Sequence, residues 1–435
     1  MRQSTKTIIL CLIANSVCAT AAFAEGVNVD WDASVRLRGE ARNDLDFSDS
    51  QQDFTLLRSR VGAKFTLAPQ WSISAELQDS RIFDVDANTT PNINDNALDQ
   101  PFADDLDIHR LALNYLSKNF RVTLGRQKLN LGDQRLVASL EWVNTARVND
   151  GIRVDYKKDN LEINAFATEL VSINPSSFND GADTGNRRFD SQFNGAFIEQ
   201  KKLGKLDVFQ GWWFQRRNSD FDDDVHTFGI RVQEQISSWT LEAQAALQIG
   251  DFGGNDHDAA LFQASVSKSL GAGVASLGVA WASGDDDPND GESETFDNLY
   301  PLNHAYYGFI DLFSLQNLAT VELSYRRPLL NKKLKFRAAL HGFWLDNEND
   351  FWYEAGFNPI AGLFVSPDRI NNAERFLGSE LDITFQYDAK INGLEKVSLL
   401  AGYSYFDLGD RVQVDPTNGR LSNTDFIFLQ LNLKL

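Results

Sequence analysis

The sequence predicts an all-β fold: a transmembrane, antiparallel, up-and-down β-barrel of the outer-membrane type with about 18 strands. Three observations predict it. Segments of alternating apolar and polar residues recur along the chain, short and long connections between them alternate, and a secretory signal precedes the first segment. No run of about 18 apolar residues follows that signal, so no helical membrane span is expected.

The N-terminal signal is the first element. Residues 1–24 begin with basic residues, continue with an apolar run and end in Ala22-Phe23-Ala24. This order is typical of a secretory signal peptide, so we expect cleavage after Ala24 and delivery to the outer membrane of a Gram-negative cell. The predicted organisation is a signal peptide over 1–24 and one barrel over 25–435. Both cysteines lie in the signal, so no disulfide is expected in the mature chain.

Alternation then defines the strands. Over 239–249 the odd positions are apolar, from Trp239 to Ile249, while the even positions carry polar residues such as Glu242 and Gln244. Because side chains of a strand alternate between faces, one face is apolar and the other polar. The same pattern occurs over 27–38, 71–78, 334–344, 380–387 and 427–435. Charged residues recur on the polar face, which a wet lumen accommodates and a sandwich core does not.

The connections between strands also alternate in length. Short connections are expected near residues 69, 118, 157–158, 201–205, 237, 271, 331 and 392. Long ones are expected over 43–53, 82–105, 128–150, 170–190, 216–224, 250–258, 283–315, 346–374 and 408–423. These connections join 18 strands, and short periplasmic turns opposite long extracellular loops are typical of outer-membrane barrels.

Basic residues on the polar face are the candidate translocation residues. Strand parity assigns these to the lumen: Arg36, Arg38, Arg58, Arg60, Arg110, Arg153, Arg231, Arg326 and Arg337. Arg126 is also included, and its direction depends on a bulge that is expected at Gly125. Guanidinium groups around a narrow pore would attract carboxylates and hold them bidentately. The alternative, that these bases pair with lumen acids such as Glu76 and Glu242 and only stiffen the barrel, stays open.

Seven short motifs carry a family resemblance. They are L-Q-D-S-R at 77–81, G-R-Q-K-L-N-L-G-D-Q-R-L at 125–136, E-W at 141–142, D-G-I-R at 150–153, Y-P at 300–301, Q-N-L at 316–318 and G-S-E-L-D at 378–382. Together they resemble the alginate export family of outer-membrane porins over essentially the whole mature chain. The resemblance implies an 18-stranded barrel, and in the founding exporters a polyuronate passes an arginine-rich constriction. Many relatives with the 125–153 block have no established substrate, so the resemblance implies a pore rather than alginate itself.

The long connection at 128–150 is expected to fold into the lumen and constrict it. Trp142 and the charged residues Asp133, Arg135, Arg147 and Asp150 would anchor it to the barrel wall. A structural role is the favoured interpretation of those charges.

Composition and motifs exclude several functions. With 41 Lys and Arg against 61 Asp and Glu, the formal net charge is −20, which argues against nucleic acid as a partner. The five histidines are scattered and no hydrolase or metalloprotease motif occurs, so no enzyme and no cofactor are expected. The acidic stretch 284–294 departs from an EF-hand, because Pro288 takes a ligand position and Asp297 replaces the bidentate Glu, so no metal site is predicted.

The sequence therefore predicts a channel for anionic solutes, with passive diffusion of an alginate-like polyuronate as the leading interpretation. Two alternatives stay open: a general or oligosaccharide-uptake porin, and a structural or adhesive outer-membrane barrel with a plugged lumen. The expected partners are outer-membrane lipid and lipopolysaccharide, an anionic polysaccharide or oligosaccharide, the barrel-assembly machinery and a periplasmic export partner.

Overall fold

The computed structural model describes residues 27–43, 51–83, 102–174, 178–179, 191–355, 374–411 and 423–435. The predicted signal peptide and its cleavage site lie outside these residues. Among the described residues, no helix is long and apolar enough to cross a membrane.

Nineteen strands make up the described architecture. They are β1 (Asn28–Asn43), β2 (Gln51–Ala68), β3 (Trp71–Phe83), β4 (Asp104–Leu116), β5 (Phe120–Gln127), β6 (Asn149–Lys158), β7 (Leu161–Leu170), β8 (Gln192–Leu203), β9 (Leu206–Asn218), β10 (Asp223–Ile236), β11 (Trp239–Phe252), β12 (Asn255–Leu270), β13 (Gly273–Ala282), β14 (Glu292–Ser293), β15 (Leu318–Leu329), β16 (Leu334–Leu345), β17 (Phe376–Ala389), β18 (Lys396–Leu408) and β19 (Thr424–Lys434). Strand β14 is a two-residue strand that pairs in parallel with β12 inside a long connection.

The remaining 18 strands form a closed antiparallel barrel. Each pairs with its neighbours along the chain, β13 pairs directly with β15, and β1 pairs with β19 from Ser34↔Lys434 to Asn43↔Asp425. Closure leaves no barrel strand with an unpaired edge, which a membrane requires because lipid offers no hydrogen bonds. The predicted fold class and strand number are confirmed.

Side-chain exposure divides each strand into an outer and an inner face. On β11, Leu247 and Ile249 are 60% and 51% exposed, whereas Gln244 and Gln248 are 4% and 0% exposed. Exposed apolar residues on the outside and enclosed polar residues inside are the reverse of a water-soluble sheet. The apolar face predicted from alternation is therefore the outer wall.

The two rims of the barrel differ. Eight short turns close one rim, called here the turn rim, at 69–70, 117–119, 159–160, 204–205, 237–238, 271–272, 330–333 and 390–395. The opposite end, the loop rim, carries the other connections. Two of these were wrongly expected to be long. Only 219–222 joins β9 to β10, and Gly253-Gly254 alone closes the hairpin of β11 and β12. Both of these glycines have positive φ, as a tight two-residue hairpin turn requires.

The apolar core lies inside the barrel. The β5–β6 loop (residues 128–148) and the β13–β15 loop (residues 283–317) contribute buried residues such as Leu131, Val137 and Phe313. These pack against lumen-facing aromatics of the wall, including Phe193 and Phe343. The two loops also pair with each other, because Ala138 N–H donates to the Tyr300 carbonyl and Tyr300 N–H to the Leu136 carbonyl. A fixed inner layer results.

Candidate functional site

A cluster of cations lines one side of the lumen. We call it the basic wall; it consists of Arg36 and Arg38 of β1, Arg58 and Arg60 of β2, Arg110 of β4, and Lys128 at the start of the β5–β6 loop. Strand register creates it, since Arg36 pairs with Arg58 and Ser34 pairs with Arg60. Cross-strand partners share a face, so parity and register together gather the guanidinium groups.

The basic wall holds the backbone of the β5–β6 loop. Arg36 Nη1 donates to the carbonyl oxygens of Glu141 and Trp142 at 2.7 and 2.9 Å, and its Nη2 to that of Val143 at 3.0 Å. Arg58 Nη1 reaches the Glu141 and Val143 carbonyls at 3.2 Å each. The expected infolding of this loop is observed, and the arginines satisfy carbonyl groups that would otherwise be buried without a partner.

Trp142 and Asn144 complete the anchorage. The Arg38 guanidinium carbon lies 3.9 Å from the centre of the Trp142 ring, and its Nη1 donates to the Trp142 carbonyl at 2.8 Å. The Trp142 ring also stacks on His304 and meets the edge of Phe428 on β19. Fully buried Asn144 donates through Nδ2 to the carbonyl of Phe102 at 2.8 Å. These contacts hold the loop through its backbone and through the side chains of Trp142 and Asn144.

The carboxylate of Glu141 sits among three cations. Its Oε2 lies 2.8 Å from Arg60 Nη1 and 3.0 Å from Arg58 Nη2, and its Oε1 lies 2.7 Å from Lys128 Nζ. Burial opposes ionisation, but the charges of Arg60, Arg58 and Lys128 outweigh it and hold the pKa of Glu141 well below its usual range. Burial and the charge of Arg60 lower the pKa of Lys128. Glu141 is therefore an anion throughout the physiological range.

Two other acids neutralise part of the wall. Glu76 accepts from Arg110 at 3.1 and 2.7 Å through Nε and Nη2. Glu40 lies 2.5 Å from Arg38 Nε and 2.5 Å from Arg42 Nη2. Within this cluster the cations still outnumber the carboxylates, so the pairing that was expected as an alternative coexists with a surplus of positive charge.

The remaining predicted residues are spread around the lumen. Arg153 pairs with Asp155, Arg231 with Glu242, and Arg337 with Glu322. Arg326 pairs in register with Arg337, and both line a cavity. The structure therefore joins Arg36, Arg38, Arg58, Arg60 and Arg110 in one site and leaves these four residues outside it.

Contrary to the prediction, Arg126 does not face the lumen. The register pairs it with Leu111, which is 46% exposed on the outer wall. Its guanidinium is held by the Asp150 carboxylate and by the carbonyl oxygens of Ile108 and Asn179. Gly125 has a φ of +118°, and a Cβ there would lie 2.4 Å from the Leu111 carbonyl oxygen. No bulge interrupts β5, so Arg126 keeps the outward parity that a bulge would have changed.

A polar cavity of about 630 Å³ lies along β10 to β13, β15 and β16, on a different part of the barrel from the strands of the basic wall. Serines of β12, β13 and β15 line it, together with Arg231, Arg326 and Arg337. Tyr306 of the β13–β15 loop closes one side, and its hydroxyl donates to the Asp133 carbonyl. Hydroxyl groups and guanidinium groups on one surface can hydrogen-bond a solute that carries both hydroxyls and carboxylates.

Two buried charge clusters attach the β13–β15 loop to the wall. Arg216 binds Asp223 at 2.9 Å and Asp297 at 2.7 Å, and all three side chains are fully buried. Glu380 accepts from the backbone N–H of Ile310 at 3.0 Å. The alternation over 380–387 puts Glu380 on the polar face of its strand, but it gives no sign of this backbone contact, because the partner lies on a loop 70 residues away.

The acidic stretch at 284–294 brings a few carboxylates together. Oxygens of Asp285, Asp286 and Glu294 lie within 4.8 Å of one another. Burial raises the pKa of Asp285 and of Glu294, and neighbouring carboxylates add to the rise. Asp286 is exposed, and solvated acids of this kind are common on loops.

Comparisons with known proteins agree with this architecture. The family model described as alginate export matches residues 27–425. No curated protein matches the chain in sequence. Among solved structures, Pseudomonas aeruginosa OpdL is 12% identical with a TM-score of 0.63, and the match covers 94% of this chain and 99% of that one.

Two further Pseudomonas aeruginosa structures are similar. OpdK, solved with vanillate, is 13% identical with a TM-score of 0.61, covering 93% of this chain and 98% of that one. OccK3 (OpdO) is 15% identical with a TM-score of 0.60, covering 93% and 96%. At such identities these likenesses concern the fold alone. A family match over nearly the whole barrel, together with 18 strands that enclose infolded loops, shows that the chain belongs to the alginate export family of outer-membrane porins.

Proposed function

We propose that this protein is an outer-membrane channel through which anionic, hydroxyl-bearing solutes diffuse passively, with uronates and an alginate-like polyuronate as the leading substrates. The observation that carries the proposal is the surplus of guanidinium groups at the basic wall. Preorganised cations in a low-dielectric lumen concentrate anions there and favour their passage over cations.

The polar cavity supports the uronate class. A uronate carries a carboxylate and several hydroxyls, and the cavity offers Arg326 and Arg337 beside the hydroxyls of Ser265, Ser276 and Ser324. The relative solved with vanillate was found with a carboxylate compound, which agrees with the charge class proposed here. The family description supports a polyuronate in particular.

A plugged, structural barrel is the second candidate. The observation that favours it is the apolar core inside the lumen, in which Phe313, Phe343 and Trp352 stack in series. If that core blocks the lumen completely, the basic wall would serve only to hold the β5–β6 loop.

Planar-bilayer recordings separate the candidates. The purified protein should open channels, and the reversal potential in a KCl gradient should show preference for the anion. In the double variant Arg58→Gln/Arg60→Gln the ratio of anion to cation permeability should fall about fivefold or more, because the local positive potential is reduced.

The matched control is Arg217→Gln/Arg327→Gln, which also removes two positive charges, but from exposed side chains of β9 and β15 instead of from the basic wall. Its selectivity should equal that of the unmodified protein. Absence of any conductance would support the plugged barrel. Selectivity that is equal in the double variant and in the control would overturn the anion-channel proposal.

A further inference from the structure

Glu141 occupies a site built for a carboxylate. The two oxygens of one carboxylate contact three cations, Arg58, Arg60 and Lys128, at 2.7–3.0 Å. The side chains of Arg58 and Arg60 are 11% and 8% exposed, so the site is enclosed, whereas the Glu141 side chain is 42% exposed. The exposed part of this side chain is not all of it, because Oε1 of the carboxylate is buried against the cations. The carboxylate therefore occupies the cationic site as a bound ligand would, while remaining tethered to the loop.

The loop is also held by contacts that do not involve this carboxylate. Arg36 and Arg38 bind backbone carbonyl groups of 141–143, and Asn144 is fixed by three further carbonyl groups. The Glu141 side chain can therefore rotate away from the cations while its backbone stays in place. Such a movement needs only rotamer changes of one half-exposed side chain.

Withdrawal of Glu141 would leave the cations poorly compensated. Glu76 is the next carboxylate, at 3.9 Å from Arg60 Nε and 3.7 Å from Lys128 Nζ, and it is already engaged by Arg110. Among the described residues, Arg60 Nη2 is buried without a hydrogen-bond partner and so provides a spare donor. Buried cations without an anion are costly, which makes the site attractive to an incoming carboxylate.

We infer that Arg58, Arg60 and Lys128 form a binding site for one carboxylate of the passing solute, and that Glu141 fills this site in the empty channel and yields it to the solute. This inference rests on the proposed function and assigns the solute carboxylate its place in the lumen. Exchange of one carboxylate for another keeps the cations paired throughout, so the solute can bind and leave without a large barrier.

Binding measurements test the inference separately from conduction. Glucuronate is titrated into the folded protein in detergent micelles, and its affinity is measured by calorimetry. In Glu141→Gln the apparent affinity should rise about tenfold, because the tethered competitor is weakened while the shape of the side chain is kept. Neutral glucose should bind Glu141→Gln no better than it binds the unmodified protein.

The matched control is Glu199→Gln, which removes one negative charge from another lumen-facing acid, contacted by Gln210 at 2.6 Å. Its glucuronate affinity should stay within about twofold of the unmodified protein, since general lumen charge contributes little to one enclosed site. In the Arg58→Gln/Arg60→Gln background, Glu141→Gln should have no effect on affinity.

Unchanged or weaker glucuronate binding in Glu141→Gln would overturn the inference, and so would an equal gain in Glu199→Gln. Gel mobility before and after heating, which distinguishes folded from unfolded barrels, checks that each variant is folded. An anion-selective channel whose glucuronate affinity does not respond to Glu141 would leave the proposed function intact and refute only this inference. A cation-selective channel would refute the proposed function instead.

Discussion

At the scale of single residues, Arg216 illustrates how the lumen holds its charges. The side chain is fully enclosed between Asp223 of β10 and Asp297 of the β13–β15 loop. Its neighbour Arg217 points outward, is 58% exposed and lies 3.9 Å from Asp224. Two adjacent arginines on one strand thus occupy opposite extremes of burial.

Replacing Arg216 should destabilise the barrel far more than replacing Arg217. Arg216→Met leaves two buried carboxylates without a cation, which we expect to lower the free energy of unfolding by about 3–5 kcal/mol. Arg217→Met should cost less than about 1 kcal/mol, because exposed ion pairs contribute little. Urea unfolding in lipid vesicles, followed by tryptophan fluorescence, measures both. Equal losses would contradict the assigned role of the enclosed cluster.

The face of most candidate residues could be predicted from the sequence, but their partners could not. Alternation places Arg36 and Arg58 in the lumen because strand side chains have a period of two. Their contacts with the carbonyl groups of 141–143 join residues more than 80 positions apart, and no local pattern encodes them. The prediction for Arg126 was wrong because it depended on a bulge at Gly125, and the strand ladder passes through that glycine without a register shift.

At the scale of elements, the inner loops decide the shape of the lumen. The β13–β15 loop meets the wall at Gly308, whose φ is +94°. A Cβ at this position would lie 2.3 Å from Glu380 Oε2, so the loop can approach the carboxylate only because the residue is glycine.

Gly308→Ala should therefore loosen this loop. We expect the added methyl group to strain the backbone and to clash with Glu380. The free energy of unfolding should fall by at least about 2 kcal/mol more than it does when alanine replaces a glycine of positive φ that has open space around it. Gly291→Ala is the control, since Gly291 has a φ of +92° and no atom within 4 Å of the added Cβ. Chemical denaturation of the two variants compares them, and equal losses would show that the approach to Glu380 is not tight.

Strands could be predicted from the sequence more completely than loops. Alternation and turn residues gave the barrel strands, whereas polar residues at 216–224 and 250–258 were interpreted as long loops. The structure continues the ladder through them, from His226↔Ile249 to Asp224↔Asp251. A strand that extends beyond the membrane is polar on both faces, so its alternation fades while its hydrogen bonds persist.

At the scale of the whole molecule, the barrel inverts the usual arrangement of polar and apolar surface. A row of exposed leucines crosses the outer wall at the centre of β15, where Leu323 pairs with Leu277 and Leu340. The next residue, Ser324, faces the polar cavity. Two adjacent residues of one strand therefore face lipid on the outside and water on the inside.

Leu323→Arg and Ser324→Arg test this inversion. An arginine in the apolar band should cost about 2–4 kcal/mol of unfolding free energy in lipid vesicles. Ser324→Arg should cost much less, because its side chain enters a wet cavity that already holds arginines. Urea titrations of both refolded variants supply the comparison. A larger loss for Ser324→Arg would contradict the assignment of the two faces.

The position of Trp142 has a consequence for how the barrel is assembled. Its ring contacts Arg38 on the first barrel strand and Phe428 on the last, the two strands whose pairing closes the cylinder. A segment from the first third of the chain thus bridges the seam from within. Because one ring packs on both strands, we expect the pairing of β1 with β19 and the insertion of the β5–β6 loop to stabilise each other. Trp142 thereby links the closing pair of strands to the loop that fills the lumen.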